Sequence, residues 1–356
     1  MQKLLGKALP LGCVMIDIEG LVLTQADRKR LLNPLVAGVI LFSRHFESVE
    51  QLQKLTTEIH QLRHPSLLIA VDHEGGRVQR FRDGFTRLPA MKNLGVLYAN
   101  NKVEGQAFAE TVGWLLATEL LVCGVDFSFA PVVDLDYGTS GVIGDRAFAE
   151  NEQVVADLSF HLMSGMHKAG MAAVAKHFPG HGYIKEDTHT EIAIDNRSFD
   201  ELSQKDIQPF LHLIANQVES IMPAHVIYPK IDDKPVGFSK KWLKILREEC
   251  HFNGVIVSDD ISMLAVTGFG KPSERVLKAL ESGCDLVLVC NELEAVDEVL
   301  SNLKFETNVT SQARLIRMHG KPMIQFHHLK SNPLWQAASA RVNSFVNQIN
   351  QQDITL

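Results

Sequence analysis

"SLLIAVDHEGG" (residues 66–76) runs five apolar residues straight into an aspartate, a histidine, a glutamate and two glycines. An unbroken apolar run of this length suits a strand buried on both faces of a parallel sheet, whereas a half-exposed antiparallel strand alternates. The same unit recurs along the chain as "GCVMIDIEG" (12–20), "VAGVILFS" (36–43), "VDFSFAPVVDLD" (125–136), "AAVAKHFPG" (172–180), "SIMPAHVI" (220–227), "GVIVSDD" (254–260) and "CDLVLVCN" (284–291). Between these runs lie segments with apolar residues three and four apart, such as 49–63, 104–124, 152–170 and 273–283, with glycine at the expected C-caps. Eight strand–helix units predict an α/β fold, a single-domain (β/α)8 TIM-like barrel over residues 1–330. An open doubly wound sheet is the alternative, but no G-x-G-x-x-G turn follows the first strand. The tail, 331–356, contains "SNPLWQAASARVNSFVNQI" and is expected to be helical and packed on the outside of the barrel.

Composition narrows the function classes. Hydrophobic residues make up 46% and charged residues 22% of 356, as in an ordinary globular protein. A net charge of −7 opposes a nucleic-acid partner, which needs a basic field. Cys13, Cys123, Cys250, Cys284 and Cys290 have scattered spacings with no C-x-x-C pair, and are expected to be reduced and buried. The first residues faintly imitate a lipoprotein signal, but Lys7 interrupts the apolar run and "CVMIDIEG" reads as a strand. No segment reaches the apolar length of a membrane span, so a cytoplasmic protein, monomer or weak dimer, is expected.

In such a barrel the chemistry sits at the C-terminal ends of the strands. There the sequence places Asp72, His73, Glu74, Arg77 and Arg80 after strand three, and Asp134, Asp136, Asp145 and Arg146 after strand four. Lys176 and His177 end strand five, His225 ends strand six, and Ser258, Asp259 and Asp260 end strand seven. Charges costly to bury gather at one rim. Each also has a plainer reading. Asp72 can cap a helix with Arg80 as its partner, Asp134 and Asp136 can be turn residues, and one of Asp259 and Asp260 can N-cap the next helix. His73 and His225 can be hydrogen-bonded core histidines.

The loop "AKHFPGHGYIKEDTHTE" (175–191) exceeds what turn-making needs. His177, His181, Asp187 and His189 could bind zinc. Gly180 and Gly182 could cradle a phosphate. A third reading joins the loop to Asp259: a carboxylate attacks a sugar's anomeric carbon while His189, held by Asp187, protonates the leaving oxygen.

These residues carry a family resemblance. "KHFPGHGYIKEDTH" (176–189) resembles the K-H-F/I-P-G-H-G-x4-D-S/T-H signature of the β-N-acetylglucosaminidases of glycoside hydrolase family 3. "GVIVSDDISM" (254–263) is similar to that family's nucleophile segment, "VDHEGGRVQRF" (71–81) to its sugar-binding third strand, and "VIGDRAF" (142–148) to a substrate-binding loop. The resemblance spans about residues 12–320; Thr188 stands where serine is more usual. It implies Asp259 as nucleophile, His189 as acid/base and Asp187 as its orienting partner. It also implies Asp72, Arg80, Arg146, Lys176 and His177 as ligands of a terminal N-acetylglucosamine. The implied reaction is metal- and cofactor-free, retaining removal of that sugar from 1,6-anhydro-N-acetylmuramyl (MurNAc) peptides in peptidoglycan recycling. A glycoside phosphorylase, or an inactive sugar-binding barrel, is the alternative.

Overall fold

A computed structural model describes residues 7–186, 188 and 191–353. The eight expected strands are present: β1 (Val14–Ile16), β2 (Val36–Leu41), β3 (Leu68–Val71), β4 (Phe127–Ser128), β5 (Val174–Phe178), β6 (Ser220–Pro223), β7 (Val255–Ile256) and β8 (Val287–Val289). Parallel pairing runs β8–β1–β2–β3–β4 on one side and β5–β6–β7 on the other. Single parallel bridges, Phe127 to Ala172 and Val257 to Leu286, join the two arcs into a closed ring. Every residue of these eight strands is buried, which is why the sequence shows continuous apolar runs rather than alternation.

The principal crossover helices are α1 (Gln25–Leu31), α2 (Val49–Gln61), α3 (Lys102–Val122), α4 (Glu152–Ala169), α5 (Gln208–Ala215), α6 (Lys240–Lys244), α7 (Pro272–Ser282) and α8 (Leu293–Asn302). Their starts follow capping chemistry: the Ser48 hydroxyl accepts from Gln51 N ahead of α2, and the Asn151 side chain accepts from Gln153 N and Val154 N ahead of α4. Helices α3 and α4 approach closely at glycines. A Cβ on Gly113 would fall 2.0 Å from the Leu162 carbonyl oxygen, and one on Gly165 2.1 Å from that of Glu110. Either substitution would force the two helices apart.

A last helix, α9 (Pro333–Asp353), lies against α3. Trp335 Nε1 donates to Glu119 Oε1 at 2.9 Å, and the rings of Phe108 and Phe345 meet at 4.6 Å. The five cysteines are buried and unbridged. Among the described residues, no helix is long and apolar enough to cross a membrane.

Candidate active site

A cavity of about 810 Å3 opens at the C-terminal rim, and Asp72, Arg80, Arg146, Lys176, His177 and Asp259 all line it. Six residues spread over 188 positions of sequence are thus brought together by the ends of β3, β4, β5 and β7. Asp187 and His189 lie outside the described residues.

The β3 contribution is a hairpin. His73–Gly75 pairs antiparallel with Val78–Gln79, and the turn between them passes through Gly75 (φ 120°) and Gly76 (φ 55°). A Cβ on Gly75 would lie 2.4 Å from the Pro89 carbonyl oxygen, so the backbone there accepts only glycine. The hairpin brings Glu74 beneath the rim, where Arg146 grips it with two hydrogen bonds of 2.8 Å, from Nε and Nη2.

Lys176 from β5 completes the cluster. Its Nζ lies 2.8 Å from Asp72 Oδ1 and 2.6 Å from Glu74 Oε1. Burial alone would raise the Glu74 carboxyl, but Arg146 and Lys176 outweigh it and hold the group well below the usual carboxylate range. Burial likewise opposes the Lys176 charge, and Asp72 and Glu74 reverse that, raising its pKa. Glu74 is therefore ionised and Lys176 protonated at neutral pH. Arg80 stands farther off, with Nη2 3.7 Å from Asp72 Oδ2, an ion pair rather than a hydrogen bond.

Asp134 corrects its reading as a turn residue. It is buried; Oδ2 lies 2.7 Å from His177 Nδ1, and Oδ1 accepts from His181 N at 2.7 Å. Burial pushes its carboxyl up, yet the His177 imidazole prevails and lowers it. An ionised carboxylate only accepts, so His177 donates from Nδ1 and keeps Nε2 as its remaining polar atom. Asp136 does make a turn, accepting from Gly138 N at 3.0 Å. His73 and His225 are buried; His225 Nε2 bonds the Asp260 carbonyl oxygen, 3.1 Å away.

At the end of β7, Asp260 N donates to Asp259 Oδ1 at 2.8 Å. Neither aspartate N-caps the next helix, Leu264–Thr267, whose cap is Met263. Asp260 instead closes a turn, accepting from Ser262 N (3.0 Å) and Ser262 Oγ (2.6 Å).

The described part of the loop after β5 is tied down on two sides. His181 Nε2 lies 3.2 Å from Thr188 Oγ1, and the Thr188 carbonyl accepts from Ala265 N at 3.2 Å. In these contacts His177 uses its Nδ1, toward Asp134, and His181 its Nε2. Among the described residues, no three His, Cys, Asp or Glu side chains form a metal-binding group.

Glu74 and Asp134 were not assigned to the site by sequence reasoning. Glu74 carries a signal, an acidic residue two beyond Asp72 at the same strand end. Asp134 carries little, since its partners lie 43 and 47 residues away.

A barrel whose rim joins carboxylates, a lysine and arginines in one cavity offers the hydrogen-bond donors and acceptors that a sugar's hydroxyls take. Residues 12–318 match the glycosyl hydrolase family 3 N-terminal domain, so the chain belongs to glycoside hydrolase family 3. Within it the chain is a glycosidase of the β-N-acetylhexosaminidase kind. It is 61% identical over 355 residues to a "Beta-hexosaminidase" from Hydrogenovibrio crunogenus, covering 99% of each chain. Among solved structures, NagZ from Neisseria gonorrhoeae in complex with N-trifluoroacetyl-D-glucosamine is 44% identical with a TM-score of 0.91, covering 95% of this chain and 99% of that one. A family 3 β-N-acetylglucosaminidase from Paenibacillus sp. is 29% identical with a TM-score of 0.82, covering 93% of this chain and 66% of that one.

Proposed function

We propose that the protein is a retaining exo-β-N-acetylglucosaminidase that removes non-reducing terminal N-acetylglucosamine from 1,6-anhydro-MurNAc peptides, in the cytoplasm and during peptidoglycan recycling. The observation that carries the reading is Asp259 lining the same cavity as the Asp72–Lys176–Glu74–Arg146 cluster. The N-trifluoroacetyl-D-glucosamine bound by the Neisseria gonorrhoeae neighbour supports an N-acylated sugar as ligand.

Asp72 and His177 Nε2 supply acceptors, and Lys176, Arg146 and Arg80 supply donors, for the sugar hydroxyls. Asp259 attacks the anomeric carbon and forms a glycosyl ester with inversion. His189, oriented by Asp187, gives its proton to the departing oxygen. It then takes one from water, which attacks the anomeric carbon, breaks its bond to the Asp259 oxygen so that the carboxylate is released, and inverts that carbon again. The net result is retention, and no metal enters.

The test is chromophore release from an aryl N-acetyl-β-glucosaminide, with the sugar product identified in phosphate and in phosphate-free buffer. Free N-acetylglucosamine is expected in both. Asp259→Ala should lose about 10^4-fold or more in kcat while remaining folded, and azide should restore release as the α-glycosyl azide. Sugar phosphate as product would make the protein a phosphorylase, and a silent but folded wild type would make it a sugar-binding barrel. Near-normal kinetics in Asp259→Ala would move the nucleophile elsewhere.

A further inference from the structure

At the end of β8, Asn291 has a left-handed backbone (φ 69°), which non-glycine residues adopt at a cost and asparagine tolerates better than most. Strain held at a cavity wall needs contacts that fix it. Here they are explicit. Asn291 N donates to Asp17 Oδ2 at 2.9 Å, and Arg44, ion-paired with the same Asp17, donates from Nη1 to Asn291 Oδ1 at 3.3 Å. The side-chain amide is thereby oriented, with Nδ2 directed at Asp260 Oδ2, 3.2 Å away. Asp260 in turn donates its backbone N–H to Asp259 Oδ1. A chain of contacts therefore runs from the ends of β1 and β2, through Asn291, to the carboxylate at the end of β7. Neither Asn291 nor Arg44 belongs to the Asp72–Lys176–Glu74–Arg146 cluster, although both line the cavity.

We propose that Asn291 is a positioning residue for the glycosidase reaction: anchored by Asp17 and Arg44, it holds the Asp260 turn and so fixes the orientation of Asp259. The inference rests on Asp259 being the nucleophile. Asn291→Gly is the informative change, because glycine accepts φ 69° without strain and removes only the side-chain contacts. Misplacing an attacking group by a fraction of an ångström is worth about 10- to 100-fold in rate. Asn291→Gly should therefore lose about that factor in kcat, with KM within about twofold. The loss in kcat/KM should be equal for good and poor aryl leaving groups, because kcat/KM reports the step of nucleophilic attack for both. Asn291→Asp keeps the acceptor for Arg44 but turns a carboxylate toward Asp260; it should lose more than the glycine variant. Should the glycine variant fail to fold, Arg44→Met removes the other side-chain hold on Asn291 and should give a smaller loss of the same pattern.

Unchanged kcat in Asn291→Gly would overturn the proposal. So would a raised KM at constant kcat, which would make Asn291 a substrate ligand. So would a loss confined to poor leaving groups, which would place it with the proton donor. Asp259→Ala measured alongside separates the two levels: if it keeps activity, the nucleophile assignment fails, whatever Asn291 does.

Discussion

Both ends of the barrel bury carboxylates, but they face different ways. At the N-terminal end, Asp285 accepts from Arg247 Nη2 (2.6 Å), Ile256 N (2.9 Å), Ser311 Oγ (2.6 Å) and Arg314 Nη1 (3.0 Å). Asp126 similarly accepts from Ile69 N (2.8 Å) and Gly320 N (2.9 Å). Their lone pairs are taken up by strand amides and by groups on the outer shell, so they join strands to what surrounds them. At the C-terminal end, Asp72, Glu74, Arg146 and Lys176 pair with one another along a cavity wall and keep polar capacity for a ligand. Similar residue types thus hold the fold at one end and prepare a site at the other.

Substitutions at the two ends should separate cleanly. Lys176→Met should lower kcat/KM for an aryl N-acetyl-β-glucosaminide by about 100-fold or more. The Arg146–Glu74 pair should keep the chain folded, as circular dichroism would show. Wild-type kcat/KM in that variant would remove Lys176 from the site. Asp285→Ala should do the reverse, costing about 3–5 kcal/mol of stability by leaving Arg247 and Arg314 without their carboxylate. Its kcat/KM below the melting temperature should be unchanged; equal damage to activity would erase the distinction between the ends.

A smaller effect marks where the distinction falls within the third strand's own loop. His73 follows Asp72 directly but packs against Phe81 and Phe85, and burial lowers its pKa from 6.5 to about 3; burial likewise lowers His45 to about 4. The unfolded chain binds these protons near pH 6.5 and the folded chain does not. Their contribution is therefore complete above about pH 6.5 and is lost as pH falls toward the folded values. The melting temperature should drop between pH 6.5 and 4, and His73→Phe should flatten that slope; an unaltered slope would deny His73 its part. The smallest effect expected is none: EDTA should leave turnover unchanged, and a loss restored by zinc would replace the His–Asp dyad with a metal.

The barrel was legible because strands buried on both faces cannot hide their composition, and all eight fall within the apolar runs. Asp72, Lys176 and Asp259 were legible as charges at strand ends. Asp134 was not, because a buried carboxylate before a turn looks in sequence like any turn aspartate, and its histidines reach it only through β5 pairing. Asn291 was not, since its conformation and its contact with Asp17, 274 residues away, exist only in the closed ring.

The most direct test is the anomeric configuration of the first sugar released by the wild type from an aryl N-acetyl-β-glucosaminide, followed by proton NMR before mutarotation. A covalent intermediate on Asp259 requires β-N-acetylglucosamine first, with the α anomer appearing later by equilibration. The α anomer first would mean a single displacement by water and would contradict the two-step mechanism.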